Sequence, residues 1–363
     1  MATKRLRNSF VRWASALLIL AAPQAARADD KSDGVLAIPS AHPPEINKST
    51  RDAIAKGLEY LAAQQNRDGS WRSHGGSGTY PVAMTSLCGL AILSGGNTPT
   101  QGPYARNVSS ALTFLLKSAR RDGLIAQLEE EGHSMHGHGF ATLFLAQCYG
   151  MEEDTRRRSE IRLTLQRAVK LTSRSQSAAG GWLYSPDSSG DEGSVTVTQV
   201  QALRACRNAG IAVPKRVIDD AMKYLEKSAN SDGGIRYQMR DRGPSRPAIT
   251  AAAVVCWFNG GMYDEPLAKK ALEFVEAELS LGRGHNVRYF GHYFYAHLYM
   301  SQAMYLSGDE KWLPYFQAMS RHLVDTQNDD GSWDGDHVGS AYGTAIGLYI
   351  LQLPYKNLPI NQR

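Results

Sequence analysis

Hydrophobic positions along this chain define two alternating kinds of helical segment. In the amphipathic kind, which begins at Asp52, Ile54, Leu58 and Leu61 fall on one helical face. The other kind is apolar or small nearly all round, as in residues 82–93, which follow Pro81 and end at glycine. A helix without a polar face is buried on all sides. The sequence therefore predicts pairs of helices, one half-exposed and one buried.

This pair of segments recurs six times, with turns near residues 69, 123, 181, 233, 283 and 331. After the first segment, the amphipathic ones cover residues 108–119, 161–173, 217–228, 267–279 and 312–326. The buried segments cover 82–93, 139–149, 195–208, 248–258, 293–306 and 340–353. A fixed period of this size indicates a repeat architecture. We predict an all-α fold, an (α/α)6 toroid over residues 51–355, with the buried helices as the inner ring; an open solenoid is the alternative.

A short motif marks the first and last repeats. Residues 64–71 read QQNRDGSW, and residues 327–333 read QNDDGSW. Two copies at opposite ends of the chain favour closure of the ring. Large indoles and amides between repeats favour a structural role, with each aspartate hydrogen-bonding its own turn. The residues assigned this role are Gln65, Asp68, Trp71, Gln327, Asp330 and Trp333.

The loops of such a toroid are unequal. All inner helices run in one direction, so the six longer loops gather at their N-terminal ends. Long loops carry function more often than short turns. Six helix N-termini also give this mouth a partial positive potential, which favours an anionic or oxygen-rich ligand.

The N-terminal residues are typical of an export signal. A basic stretch with Lys4, Arg5 and Arg7 precedes an apolar run that is too short to span a bilayer. Residues 26–28 read ARA, a small-x-small cleavage site. We predict a signal peptide over 1–28, an extended arm over 29–50 and a C-terminal tail over 356–363. The mature bacterial protein would be periplasmic or secreted, without a transmembrane segment.

Net charge argues against a nucleic-acid partner. The whole chain carries +5, and residues 1–28 hold five basic and no acidic residues, which leaves 5 − 5 = 0 for the mature protein. No basic cluster elsewhere favours nucleic acid. The four cysteines, Cys88, Cys148, Cys206 and Cys256, lie inside apolar segments of four successive repeats. This placement favours buried free thiols over two disulfides.

The QxxDGSW pattern resembles the QW repeats of squalene and oxidosqualene cyclases, and the six-pair plan resembles the toroid of the terpene cyclase and protein prenyltransferase superfamily. The chain also resembles exported, planctomycete-type prenyltransferase/squalene-oxidase repeat proteins. Residues 135–142 (MHGHGFAT), 180–184 (GGWLY) and 190–196 (GDEGSVT) carry that resemblance. It covers about residues 52–353 and implies the toroid fold.

The resemblance does not carry over a known activity. Cyclases of this kind protonate their substrate with a DxDD aspartate, and prenyltransferase β subunits bind zinc through D-x-C; this chain has neither motif. It also lacks a CGEQ thioester, a phosphate-binding glycine loop and a GxSxG elbow. Whether the protein is an enzyme is therefore left open.

Three histidines follow the second predicted turn. His133, His136 and His138 form H-x-x-H-x-H in the segment that leads into the second inner helix, after three glutamates at 129–131. Imidazoles with a carboxylate could bind zinc. The alternative is a glycine-rich loop whose histidines line a mouth or cap a helix. We predict no cofactor otherwise.

Polar residues of the later loops supply the remaining candidates. Tyr184, Asp187, Asp191 and Glu192 lie in the third loop, where carboxylates could act as acid and base or simply cap a helix. Arg246 in the fourth loop, near Asp241 and Arg242, could clamp an anion, but ordinary surface charge is the favoured interpretation. The fifth and sixth loops contribute aromatic and imidazole candidates, which are His285, Tyr289, His292, Tyr295 and His337. Such side chains could bind a glycan or an isoprenoid, or they could serve only in packing.

Two functional hypotheses follow. The first is a protein that binds a ligand or partner at the loop mouth, with Tyr184, Arg246, Tyr289, Tyr295 and His337 as ligand contacts. The second is an enzyme acting on an isoprenoid or a polysaccharide. Its catalytic candidates are His136 and His138 opposite His292, with Asp191 as the carboxylate.

Overall fold

The computed structural model describes residues 42–75, 78–279 and 292–362. They belong to one compact unit, Ala41–Arg363. The predicted signal peptide, most of the predicted arm, and the candidates His285 and Tyr289 lie outside the described residues. Within the described ranges, no helix has both the length and the apolar character needed to cross a bilayer.

The described residues form twelve α-helices. The amphipathic outer helices are α1 (Lys48–Gln64), α3 (Ala105–Lys117), α5 (Thr155–Arg174), α7 (Lys215–Lys227), α9 (Pro266–Glu278) and α11 (Asp309–Asp325). The inner helices are α2 (Pro81–Ser94), α4 (Ser134–Tyr149), α6 (Gly193–Asn208), α8 (Pro247–Asn259), α10 (Tyr293–Leu306) and α12 (Ser340–Gln352). Short 3-10 segments cover Leu128–His133, Leu353–Tyr355 and Pro359–Asn361. Extended pairing in these ranges is limited to three isolated bridges inside loops.

The inner helices form a closed ring. Each packs against the next, and α12 packs against α2. The outer ring closes at the same place, because α1 contacts both α11 and α12. The all-α (α/α)6 toroid predicted from the sequence is thus confirmed, and an open solenoid is excluded.

Three tryptophans each hold one outer helix to the inner helix that follows it, in the pairs α1 and α2, α5 and α6, and α11 and α12. The indole Nε1 of Trp71 donates to the Leu61 carbonyl at 2.8 Å, and its backbone nitrogen donates to Thr85 Oγ1 at 3.0 Å. Trp182 and Trp333 make the equivalent pairs of bonds, to Thr172 and Thr196 and to Leu323 and Thr344. All three rings are at most 1% exposed. One tryptophan residue therefore connects each of these three loops to the helix before it and to the helix after it.

Three glutamines link neighbouring repeats. Gln327 Nε2 donates to the Gly331 carbonyl in its own loop and to the Ala53 carbonyl of α1, both at 2.9 Å. Gln65 and Gln176 bond in the same way to their own loops and to α3 and α7. The bond from Gln327 crosses the ring closure, so it connects the last repeat to the first.

Glycine is required in these loops by close backbone approach. Gly331 has φ +87°, and a Cβ atom there would lie 2.5 Å from the Lys56 carbonyl oxygen of α1. A side chain would therefore meet both backbone strain and a clash. Asp68 and Asp330 accept hydrogen bonds from Ser70 and Ser332 in the same turns. The sequence motif thus serves turn geometry and contact between repeats.

The C-terminal residues close the end of the barrel opposite the long loops. The backbone nitrogen of Ile360 donates to Gln147 Oε1 of α4 at 3.3 Å. Tyr349 of α12 donates its hydroxyl to Asn361 Oδ1 at 2.9 Å. Leu358 and Ile360 are buried. This segment is therefore packed as a floor across several inner helices.

The four cysteines are buried free thiols, as the sequence favoured. Burial raises the pKa of Cys206 to about 12 and the pKa values of the other three as well. Such thiols are inert at neutral pH.

Candidate functional site

A cavity of about 590 Å³ opens among the N-terminal ends of the inner helices. Its volume is in the range of small-molecule sites. The apolar and aromatic lining includes Tyr80, Met84, Leu87, Phe140, Tyr184, Tyr237, Ile249, Tyr295 and Tyr342. The polar lining includes His133, His136, Glu192, Ser194, Arg246, His292 and His337.

Polarity changes with depth in this cavity. His133, Arg246, His292 and His337 precede the first turns of their inner helices and form the rim. Leu87 and Phe140 each lie six residues beyond the first residue of α2 and α4. At 1.5 Å per residue this is about 9 Å further into the barrel. The site therefore has a polar, partly cationic rim above an apolar interior.

Eight of the predicted site residues line this one cavity: His133, His136, Tyr184, Glu192, Arg246, His292, Tyr295 and His337. His138 and Asp191 do not line it. The Asp191 carboxylate instead accepts a hydrogen bond from the backbone nitrogen of Met239 at 2.9 Å, which ties the third loop to the fourth. Tyr289 lies outside the described residues.

The histidine segment is helical, contrary to the loop expected from its glycines. Only His133 lies in a 3-10 turn; His136 and His138 lie in the first turns of α4. The glycines allow close packing instead, because a Cβ atom at Gly139 would lie 2.6 Å from the Thr198 methyl carbon of α6. Helical residues two apart do not share a face. His136 and His138 therefore diverge.

His138 lies in the packed layer between α4 and α5. It is fully buried, Nδ1 accepts from the backbone nitrogen of Ile125 at 3.2 Å, and Nε2 is 3.0 Å from Thr172 Oγ1. Burial lowers its pKa to about 4, which keeps the ring neutral. The predicted pairing of His138 with His292 across a common cavity is not formed.

The zinc site considered from the sequence finds no support. Both nitrogens of His138 are engaged, and His136 faces another side of α4. Among residues 42–75, 78–279 and 292–362, no group of three or more His, Cys, Asp or Glu side chains is arranged to hold a metal ion.

Glu192 is the buried carboxylate of the cavity. It caps α6, because its oxygens accept from the backbone nitrogens of Ser194 at 2.9 Å and Val195 at 2.8 Å. Its Oε2 also accepts from the Ser194 hydroxyl at 2.6 Å. Burial raises the pKa of Glu192 despite these bonds. A carboxyl in this setting holds its proton more strongly than an ordinary glutamate.

Ser194 connects Glu192 to His136. The Ser194 Oγ is 3.0 Å from His136 Nε2. Since the hydroxyl hydrogen is donated to Glu192, the imidazole must donate through Nε2. Burial, with a smaller contribution from the charge of His133, lowers the pKa of His136 to about 4. A neutral imidazole, a hydroxyl and a buried carboxyl thus form one hydrogen-bonded row at the cavity wall.

Carboxylates of the protein occupy three of the inner-helix N-termini. Besides Glu192 at α6, Glu130 Oε1 accepts from the Val82 nitrogen of α2 at 3.0 Å. Asp336 Oδ2 accepts from the Phe294 nitrogen of α10 at 3.1 Å. These oxygens take up backbone N–H groups that an anionic ligand would otherwise bind. The helix termini therefore supply less attraction for an anionic ligand than the sequence suggested.

Glu130 predicts a measurable pH dependence of stability. Burial raises its pKa from 4.5 to about 7. The folded state therefore binds this proton more tightly, and its contribution to the free energy of unfolding is lost as pH rises from about 4.5 to about 7. The shift corresponds to about 3 kcal/mol. We expect Glu130→Gln to gain about this much stability relative to wild type over that window in urea unfolding.

The matched control for this experiment is Glu131→Gln. Glu131 is exposed and pairs with Arg120. At this exposed position the same change removes no buried carboxyl. A Glu130→Gln difference from wild type that varies with pH no more than the Glu131→Gln difference would contradict the raised pKa of Glu130.

The rim combines imidazoles with one guanidinium. The rings of His292 and His337 lie 5.4 Å apart, and the Arg246 guanidinium lies 5.8 Å from the Tyr237 ring centre. Burial, then the charge of His337, lowers the pKa of His292. Arg246 is the one arginine or lysine among the described lining residues, and its guanidinium gives the rim a positive charge.

Several residues that line the cavity are absent from the sequence-based candidates. Met84, Leu87 and Phe140 line the cavity but read as ordinary core positions. Their signal is indirect: an inner helix that is apolar all round must present one face to the barrel axis. The Ser194–His136 contact joins residues 58 apart, and no local pattern encodes it.

Comparison with known proteins supports the fold more strongly than an activity. No protein-family model matches the chain. A 200-residue stretch is 25% identical to drimenyl diphosphate synthase of Streptomyces showdoensis, covering 55% of this chain and 34% of that protein. The chain thus matches about a third of the length of that relative.

Solved structures of other proteins align with most of the described toroid. A variant of the type II terpene cyclase MstE from Scytonema, in complex with the substrate geranylgeranyl dihydroxybenzoate, aligns with a TM-score of 0.58 at 16% identity over 87% of this chain and 99% of that one. A GH76 α-mannanase from Bacteroides thetaiotaomicron aligns with a TM-score of 0.59 at 10% identity over 85% of this chain and 96% of that one. The protein has a terpene cyclase-like helical toroid fold, which mannanases also use.

Proposed function

We propose that this protein binds an isoprenoid-type ligand, with the apolar chain inside the barrel and an oxygen-bearing end at the rim. The observation that carries the proposal is the cavity itself, apolar and aromatic within and polar at its mouth. Burial of apolar ligand surface supplies the driving force. Arg246 and the rim imidazoles supply hydrogen-bond donors to the polar end.

A glycan is the less suitable ligand. Glycoside hydrolysis requires two carboxyl groups across the scissile bond. Among the described residues, Glu192 is the carboxylate that lines the cavity, and Asp191 is turned to Met239. The described residues therefore supply one carboxyl group to the cavity and not the pair that this hydrolysis requires.

Equilibrium binding of farnesol and geranylgeraniol to the purified protein tests this proposal. We expect saturable binding with a stoichiometry near one, displacement of one prenol by the other, and weak competition by mannotriose. Tight mannotriose binding without prenol binding would contradict the proposal.

A second candidate function is acid-initiated conversion of the bound isoprenoid, and Glu192 favours it. Its raised pKa and its position in an apolar wall suit a general acid. The carboxyl O–H bond would break as its proton adds to an alkene carbon. A second alkene would attack the resulting carbocation to form a C–C bond, and the new cation would lose a proton to Glu192 or to solvent.

Aromatic rings and the Ser194–His136 row would support this chemistry. Tyr295 and Tyr342 face the cavity, and aromatic faces attract cations. His136 could relay a proton to Glu192 through Ser194, because the three groups are hydrogen-bonded in sequence. The imidazole would give up its Nε2 proton while its Nδ1 takes one from solvent, so the ring stays neutral. The same Glu192 contacts also make it a helix cap, so the structural role and the catalytic role must be separated by experiment.

Glu192→Gln separates the two roles of this residue. The amide keeps an acceptor oxygen for the α6 cap but cannot deliver a proton. We expect prenol binding to be retained and any cyclised product, followed by gas chromatography and mass spectrometry, to fall by about a hundredfold or more.

The control for this substitution is Asp191→Asn, whose side chain does not line the cavity. It should retain product formation. Turnover by Glu192→Gln at the wild-type rate, or no turnover by the wild type, would remove the enzymatic candidate and leave the binding proposal intact.

A further inference from the structure

The barrel interior contains two spaces that share a boundary. Below the main cavity lies a gap of about 20 Å³, and Leu87 and Phe140 line both. The remaining gap lining is largely apolar and includes Leu90, Leu143, Leu298, Ile346 and Ile360. The side chains of Leu87 and Phe140 therefore form a partition between the ligand cavity and the floor of the barrel.

The floor beneath the gap is provided by the end of the chain. Ile360 lines the gap and is 3% exposed. The backbone nitrogen of Ile360 donates a hydrogen bond to Gln147 of α4, and the side chain of Asn361 accepts one from Tyr349 of α12. The C-terminal segment thus closes the interior directly below the partition.

We propose that Phe140 and Leu87 set the length of the apolar chain that the protein accepts, with Ile360 closing the space beneath them. This inference rests on the proposed function. Each additional buried methylene group tightens binding about fourfold while space remains. A chain that reaches the partition gains nothing more, because further carbons must either displace packed side chains or stay at the rim.

Substitution of Phe140 by alanine should lengthen the accepted chain. Loss of the ring joins the cavity to the gap and moves the lower boundary to Ile360. The probes are geraniol, farnesol, geranylgeraniol and geranylfarnesol, which differ by one isoprene unit each. In wild type, affinity should rise along the series and then fall. In Phe140→Ala the best-bound prenol should be one unit longer, and its affinity should rise at least about tenfold, with about a thousandfold as the upper bound for five fully buried carbons.

Phe144→Ala is the matched control. Phe144 lies one turn further along α4, is fully buried and packs against Gly89 of α2 without lining either space. The same chemical change should lower stability without moving the preferred chain length. Leu87→Ala, on a different helix, is the variant to use if Phe140→Ala does not fold. Its preferred prenol should also be longer than that of wild type.

The outcomes separate this inference from the proposed function. Wild-type protein that binds no prenol would overturn the proposed function. Wild-type protein that binds prenols, with an unchanged preferred length in folded Phe140→Ala and Leu87→Ala, would overturn only the partition. A shift that Phe144→Ala reproduces would also overturn it, because the effect would then reflect general loosening of the barrel.

Discussion

Trp333→Ala should lower the free energy of unfolding by about 3 to 5 kcal/mol. This is a large share of the roughly 5 to 15 kcal/mol available to a folded domain. The Trp333 ring is 1% exposed, and its Nε1 donates to the Leu323 carbonyl at 2.7 Å. Urea unfolding followed by far-ultraviolet circular dichroism measures the loss.

The position of Trp333 at the ring closure explains the size of this effect. A Cβ atom at Gly57 of α1 would lie 2.9 Å from the indole, and one at Gly347 of α12 would lie 3.2 Å from it. The ring therefore fills space between the first and last repeats. Alanine leaves a cavity there and an unpaired Leu323 carbonyl.

Leu313→Ala provides the surface control for this experiment. Leu313 is 45% exposed on α11 and should change stability by less than about 0.5 kcal/mol. If Trp333→Ala were as mild as this control, the indole could not be the clamp between the first and last repeats.

Ala83→Trp should abolish prenol binding without unfolding the protein. Ala83 lies in the first turn of α2, and its methyl group lines the cavity. An indole at this position would project into the space that the apolar chain needs. We expect at least a hundredfold weaker binding of farnesol, a loss of about 2.7 kcal/mol.

The same substitution on the outer ring shows whether the effect is local. Ala55 is exposed on α1, so Ala55→Trp should bind farnesol like wild type. Unimpaired binding by folded Ala83→Trp would place the ligand outside the barrel. Equal loss in both variants would point to an indirect effect of the added indole.

The periodic pattern of apolar positions predicted the fold because the sequence of each repeat specifies which helix faces are buried. An inner helix such as α8 is apolar on every side, and an outer helix such as α7 buries only Val217, Ala221, Met222, Tyr224 and Leu225. The terminal copies of the DGSW motif indicated closure because their glutamine and tryptophan must contact a neighbouring repeat. The bond from Gln327 to Ala53 is that contact.

Contacts between loops determine the site, and the sequence carries little of that information. Glycines around His136 and His138 suggested a loop, but they allow α4 to approach α6 closely. On this helix, the His136 ring faces the cavity and the His138 ring lies in the packed layer between α4 and α5. Asp191 and Glu192 are adjacent in sequence, yet only tertiary contacts decide that Glu192 faces the cavity and Asp191 meets the fourth loop.

Photo-crosslinking with a diazirine-bearing farnesol analogue tests the central claim most directly, since it reports where the chain lies. Illumination of the complex, followed by peptide mass spectrometry, should place the label on the inner-helix segments around Met84 and Phe140, and excess farnesol should suppress it. A label confined to outer helices, or one that farnesol does not suppress, would contradict binding inside the barrel.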